Sequence, residues 1–84
     1  MSEEEFAALA KQLENDFLTL YGSTMLTGSE LQRALSYRTA GALRQAISRN
    51  TIPVKVFKIK NRRGYFALVK DIALWLATEA KEEE

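Results

Sequence analysis

The residues of this sequence that are best suited to chemistry are cations, amides and hydroxyls between positions 37 and 63. Arg44 and Gln45 can each form two hydrogen bonds with the edge of a base pair, and Ser or Thr hydroxyls can bind phosphate oxygens. Residues 31–70 carry ten Lys and Arg residues and no Asp or Glu. We call this stretch the basic block, and its composition indicates a polyanionic partner.

The net charge hides the basic block, because it is only +1 over 84 residues. Residues 1–30 carry six acids and one base, and residues 71–84 carry five acids and one base. A distribution as uneven as this is typical of proteins that bind nucleic acid or another anionic molecule.

Missing residue types exclude several classes of function. The chain has no His and no Cys, so it cannot by itself form a disulfide, a Cys/His zinc site or a His-based acid–base system. Its four glycines are scattered and match no phosphate-binding loop. We therefore expect no enzyme activity, no catalytic residue, no metal, no cofactor and no small-molecule substrate.

Length and composition indicate one small domain over residues 1–84, since 84 residues with 46% hydrophobic content support a single core. The apolar runs are far shorter than a membrane span, and residues 2–5 carry acids where a signal peptide would be basic. We expect a cytoplasmic protein with no membrane partner.

An amphipathic helix is predicted over residues 1–22. Ser2 and Glu5 have the spacing of a capping box, and apolar residues then recur at intervals of three and four as far as Gly22. The apolar stripe is larger than one face of a small domain requires, so it could pack on the core or on a second copy of the chain. A homodimer would use Phe6, Leu9, Leu13 and Phe17, and Leu20 continues the stripe.

Two short helices joined by a tight turn are predicted over residues 27–50. Thr27 and Glu30 repeat the capping-box spacing at the start of the first helix, and the second starts after Thr39. A pair of this kind can place its second helix in the major groove of DNA. The predicted buried side of the second helix is Leu43, Ala46 and Ile47.

Beyond Pro53 the pattern changes to β-branched and aromatic residues, which predicts a β-hairpin over residues 54–69 with a basic tip at residues 60–64. A last helix is predicted over residues 70–80, with Ile72, Trp75 and Leu76 on its buried side. The glutamates at 82–84 oppose the helix dipole, so we expect them to fray. The expected fold class is mainly α with a β-hairpin, that is, α+β.

The DNA-binding candidates lie on the exposed side of the third helix and on the hairpin. Any one of them could instead be a solvated side chain, and lysines on exposed strands also discourage aggregation. We expect base or phosphate contacts from Tyr37, Arg38, Thr39, Arg44, Gln45 and Ser48. We expect backbone contacts from Lys55, Lys58, Lys60, Arg62 and Arg63.

The aromatic residues Phe57, Tyr65, Phe66 and Trp75 could stack on bases, but their positions in strands and in a helical stripe favour packing in the core. Residues 63–69 are similar to the RNA-recognition signature, with Phe66 and Ala67 exchanged. That fold needs four strands, whereas only two are predicted here.

Residues 26–76 resemble bacterial winged helix-turn-helix proteins of the excisionase and MerR-like kind, and are similar to small phage-related regulators such as the pyocin transcriptional activator. The resemblance implies a winged helix-turn-helix with an extra N-terminal helix, a recognition helix in third position and a hairpin as the wing. Gln32 stands where the family has a small Ala, and Ser36 where its turn has Gly. The stretches that carry the resemblance are residues 26–31, 36–39, 42–46, 52–54, 62–65, 71–73 and 75–76.

Three functions follow as hypotheses. The leading one is a sequence-specific binder of double-stranded DNA that regulates transcription or a mobile element. The second is a binder of single-stranded RNA. The third is a protein-interaction module or antirepressor on a helix-turn-helix shell, in which the acidic first helix and the basic block bind complementary partners. A first helix or acidic tail that covers Arg38, Arg44 and Gln45 would favour this third hypothesis.

Overall fold

The computed structural model describes residues 1–82, which form a mostly helical α+β fold. Two short strands pair as an antiparallel sheet, with Leu26 opposite Ala67. In chain order the elements are α1 (Glu3–Tyr21), β1 (Met25–Thr27), α2 (Gly28–Ala34), α3 (Ala40–Ser48), β2 (Phe66–Leu68) and α4 (Val69–Glu82).

Both ends of α1 carry the signals that the sequence predicts. The Ser2 hydroxyl accepts a hydrogen bond from the Glu5 N–H at 3.1 Å, and the Ser2 N–H donates to the Glu5 carboxylate at 3.3 Å. At the other end, Gly22 adopts a left-handed φ of 68° and donates its N–H to the Leu18 carbonyl at 2.8 Å. This capping box and left-handed cap satisfy backbone groups that would otherwise lack a partner within the helix.

Helix α2 ends in a Schellman turn, after which the chain leads into α3. The Tyr37 N–H donates to the Gln32 carbonyl and the Ser36 N–H to the Arg33 carbonyl, each at 3.0 Å. Ser36 takes the left-handed position of this motif, with φ at 64°. The Gln32 side chain also donates to the Tyr37 carbonyl at 3.2 Å. Gln32 and Ser36, the two positions that differ from the pattern that the sequence resembles, therefore both belong to the turn.

The two threonines that precede α2 and α3 have different roles. The Thr39 hydroxyl accepts from the Ala42 N–H at 3.0 Å and caps α3 as predicted. Thr27 precedes α2 with an extended backbone, but its side chain makes no capping bond. Its hydroxyl donates instead to the Tyr65 carbonyl at 2.6 Å, so the capping box predicted at Thr27 is wrong.

The hairpin predicted over residues 54–69 is only partly formed. Phe57 and Phe66 exchange two backbone hydrogen bonds of 2.9 and 2.8 Å, and this single bridge is the extent of their pairing. The main partner of β2 is β1, from a distant part of the chain. Residues 54–59 therefore do not form the predicted strand.

The core lies where α2, α3, the sheet and α4 meet. Leu43 and Ala46 of α3 are buried as predicted, and Ile47 is half-buried against the cluster. Burial of each large apolar side chain stabilises the fold by about 1.5–3 kcal/mol. The central cluster consists of Leu26, Leu31, Leu35, Leu43, Val54, Ala67, Val69 and Ile72.

Helix α4 begins one residue before the predicted range and continues to Glu82. Ile72 is buried as predicted, whereas Trp75 and Leu76 are half-buried because smaller residues, Ala73 and Ala77, face the interior. Fraying was expected at residues 82–84; Glu82 is helical, and residues 83 and 84 lie outside the described part of the chain.

Helix α1 packs chiefly on α4 and contributes no fully buried residue. Phe17, Leu18 and Tyr21 lie against the edge of the central cluster. Leu20, expected to continue the apolar stripe, is 72% exposed and does not pack on the core.

Candidate nucleic-acid interface

Helix α3 presents a polar face on the side opposite its buried residues. Leu43 and Ala46 anchor the helix in the core, because both are less than a tenth exposed. Capping by Thr39 fixes where the helix starts, and therefore which side chains lie outward. The predicted site residues that are exposed on this outward face or just before it are Arg38, Thr39, Arg44, Gln45 and Ser48.

Tyr37 differs from the other predicted site residues. It is half-buried and packs against the central cluster, and its backbone N–H and carbonyl are both bonded to Gln32. A hydrophobic residue at this position commonly accompanies a Schellman turn. The structure therefore gives Tyr37 a role in holding the turn between α2 and α3.

Residues 54–65 form an extended loop that carries five cations, and we call it the basic loop. Its tip turns back through a hydrogen bond from the Arg62 N–H to the Ile59 carbonyl at 3.0 Å, with left-handed φ values of 65° at Asn61 and 82° at Gly64. The Lys58 ammonium lies 5.1 Å from the centre of the Tyr65 ring, a cation–π contact that orients it. All five cations are exposed: Lys55, Lys58, Lys60, Arg62 and Arg63.

The basic loop and α3 meet at a groove of about 550 Å³. Arg44 of α3 and Arg63 of the basic loop both line it, as do Gly28 and Ser29 at the start of α2. The structure thus brings two of the predicted cations to one site. The remaining four cations of the basic loop do not line this groove.

Most of the acids and most of the cations are carried by different elements. Within residues 1–82, no basic side chain of the basic block forms an ion pair with an acid. Most acids lie on α1 and α4, which pack on each other, and Glu30 of α2 is the exception. The cations therefore keep their charge available for an external partner.

The outward face of α3 is open to solvent. Arg38, Arg44 and Gln45 are all exposed, so neither α1 nor the described part of α4 covers them. Such a cover would have favoured the interaction-module hypothesis, and within residues 1–82 there is none.

The aromatic residues divide between the core and the surface. Phe66 is 6% exposed and stacks on the half-buried Phe57, with ring centres 6.3 Å apart. Trp75 is half-buried against the central cluster. Tyr65 is 37% exposed, so its predicted place in the core is wrong, because its side chain lies beside Lys58 at the surface.

The stripe expected to serve a homodimer has partners within the chain. Helix α1 packs on α4, and the Phe6 ring lies 5.3 Å from the Lys81 ammonium. Phe17 stacks on Tyr21 with ring centres 6.1 Å apart. The four residues of the stripe, all half-buried, are Phe6, Leu9, Leu13 and Phe17.

Sequence reasoning missed two residues that shape this site. Gln32 holds the turn before α3, and Thr27 ties the end of the basic loop to the sheet. A Thr just before a helix is normally predicted to cap that helix, here α2. The role of Thr27 is shown only by its hydrogen bond to the Tyr65 carbonyl, a residue far away in the sequence. The sequence did mark Gln32 as unusual, because it differs at the turn from the winged helix-turn-helix pattern that residues 26–76 resemble.

No family model, curated protein or solved structure matches this chain. Within residues 1–82, no helix has the length and apolarity that a membrane span requires. The same residues contain no cluster of three or more acidic side chains that could hold a metal ion. Function therefore has to be argued from the geometry and charge of the site.

Proposed function

We propose that this protein binds double-stranded DNA in a sequence-specific manner and acts as a regulator of transcription or of a mobile element. The observation that carries the proposal is the open surface formed by α3 and the basic loop. Its cations have no acidic partner among the described residues. Neutralising phosphates with such cations supplies most of the affinity of DNA-binding proteins.

In the proposed complex, α3 lies in the major groove and the turn before it places the helix. Arg44 and Gln45 contact base edges, because guanidinium and amide groups can form paired hydrogen bonds there. Thr39 and Ser48 hold phosphate oxygens near the ends of the helix. The segment from α2 to α3 thus acts as a helix-turn-helix.

The basic loop acts as the wing of this proposed complex. Arg62 and Arg63 lie at the tip of this loop. Arg63 also lines the groove beside α3. Contacts from this loop go to the sugar–phosphate backbone or to the minor groove, and they are insensitive to sequence. Affinity and specificity therefore reside in different elements.

Single-stranded RNA binding is the weaker hypothesis. Proteins of the RNA-recognition type stack bases on exposed aromatic side chains of a four-stranded sheet. Here Phe66 is buried, and the sheet of the described residues has two strands. Tyr65 alone of the hairpin aromatics is exposed enough to stack on a base.

Fluorescence anisotropy with labelled nucleic acids tests the proposal. We expect tighter binding to duplex DNA than to single-stranded RNA of the same sequence. Arg63→Ala should weaken duplex binding, while Lys11→Ala should not, because Lys11 is an exposed cation of α1 outside the basic block. Preference for the single strand, or equal losses for both variants, would refute the proposal.

A further inference from the structure

The groove between α2, α3 and the basic loop has an apolar floor, which takes no part in the DNA contacts proposed above. Leu31 and Leu43 form part of it, and the aliphatic side chain of Ile47 extends it along α3. Its volume of about 550 Å³ lies in the range of small-molecule sites. A sugar–phosphate strand is polar and gains little from contact with such a surface.

Two different elements each contribute a cation to the lining of the groove. Arg44 comes from α3 and Arg63 from the basic loop, and none of the described residues that line the groove is acidic. Hydrogen-bond donors and acceptors are supplied beside them by Thr27 and Gln32. An apolar floor with guanidinium groups at its edge is complementary to a molecule with an apolar body and one anionic end.

We propose that this groove binds a small amphipathic carboxylate, with its hydrocarbon part on Leu31, Leu43 and Ile47 and its carboxylate between Arg44 and Arg63. The molecule is a ligand and is not turned over. The hydroxyls that line the groove have no general base beside them to activate them as nucleophiles, because the other polar side chains of the lining are two arginines and one amide.

Occupation of the groove regulates DNA binding, and this part of the inference rests on the proposed function. The carboxylate engages Arg44 and Arg63, which would otherwise contact a base and the backbone. Ligand and DNA therefore weaken each other, and by the same factor, because coupling between two binding sites is reciprocal.

Octanoate is a suitable probe, titrated into the full chain without DNA and followed by amide chemical shifts. We expect changes centred on Leu31, Arg44 and Gly64. Arg63→Gln should weaken octanoate about tenfold, since a charge-assisted hydrogen bond is lost. Arg62→Gln is the matched control, because this neighbouring cation does not line the groove and should leave octanoate affinity unchanged.

Two further measurements separate the contributions of charge and apolar contact. Octanol, which has the same chain without the carboxylate, should bind more weakly than octanoate. Ala40→Leu should abolish binding of both, because Ala40 lines the groove and the larger side chain fills it. Shifts centred on α1 and α4, equal effects of Arg62→Gln and Arg63→Gln, or equal binding of octanol would overturn the site.

The regulatory part is tested by adding DNA. Saturating octanoate should weaken duplex binding severalfold, and duplex DNA should weaken octanoate by the same factor. If octanoate binds but leaves the affinity for DNA unchanged, the proposed regulation is wrong, while the proposed carboxylate site still stands. If the protein bound no DNA at all, the titration without DNA would still decide whether the site exists.

Discussion

Arg44 is the residue on which the sequence preference of the proposed complex depends most. Its side chain is exposed near the middle of α3, next to Gln45. We expect Arg44→Ala to lower affinity by about 1–3 kcal/mol for duplexes with the preferred base pair, and by less for duplexes altered at that position.

A set of duplexes with single base-pair changes, each titrated with wild type and variant, measures this effect. Arg62→Ala is the control, because a backbone contact is lost equally on every sequence. If Arg44→Ala lowers the affinity equally for all duplexes, Arg44 contacts the sugar–phosphate backbone and not a base.

Ser36 is held in a conformation that favours glycine. Its φ of 64° satisfies the Schellman turn, but it places the Cβ of a non-glycine residue close to the following carbonyl oxygen. We expect Ser36→Gly to raise the free energy of unfolding by about 0.5–1 kcal/mol, because relief of this strain exceeds the added flexibility of the unfolded chain.

Urea unfolding of the wild type and of Ser36→Gly measures the difference. Gln45→Gly, at an exposed position inside α3, should instead destabilise the protein by about 1 kcal/mol. If both glycine variants lose stability to the same extent, Ser36 is not strained.

At the scale of elements, the cap of α3 controls how the outward face is presented. The Thr39 hydroxyl bonds to the Ala42 N–H at 3.0 Å, and α3 has only nine residues. Thr39→Ala should lower the free energy of unfolding by about 1 kcal/mol, while Thr39→Ser, which retains the hydroxyl, should cost little.

Thermal unfolding followed by circular dichroism distinguishes the two variants. Equal stability of Thr39→Ala and Thr39→Ser would show that the hydroxyl does not cap the helix in solution.

Local signals in the sequence predicted the helices well and the sheet poorly. Caps such as Ser2, Thr39 and Gly22 act within a few residues, so they can be found without knowledge of the fold. The pairing of β1 with β2 joins segments that are distant in the sequence, so no local sequence pattern predicts it. The contact of Thr27 with Tyr65 was missed for the same reason.

The candidate site could be predicted only in part. Exposure of Arg44 and Gln45 follows from the period of α3, because Leu43 and Ala46 fix the buried side. Placement of Arg63 in the same groove as Arg44 depends on the path of the basic loop, which is held by its bridge to β2, by the Thr27 hydroxyl and by the buried Val54. The groove between them was therefore not predictable from composition or spacing.

At the scale of the whole molecule, the packing of α1 on α4 bears on the oligomeric state. The apolar stripe of α1 is half-buried against its own chain. We therefore expect a monomer of 9.5 kDa at micromolar concentration in sedimentation equilibrium. A species of twice that mass would contradict this expectation. If it disappears in a folded Leu13→Glu variant, the apolar stripe of α1 forms a homodimer interface.

The division of charge between elements is the property from which the proposed function follows. A net charge of +1 conceals an acidic pair of helices and a basic surface made by α3 and the basic loop. In the proposed function, the acidic helices limit non-specific attraction to polyanions, while the basic surface supplies a local affinity for them.

The salt dependence of duplex binding tests this account most directly. Each phosphate neutralised contributes about −0.9 to the slope of log affinity against log salt concentration, so contacts from α3 and the basic loop together predict a slope of about −4 or steeper. Such a slope, reduced by about one unit in Arg63→Ala, is the expected result. Absence of binding to any duplex at low salt, genomic fragments included, would contradict the account.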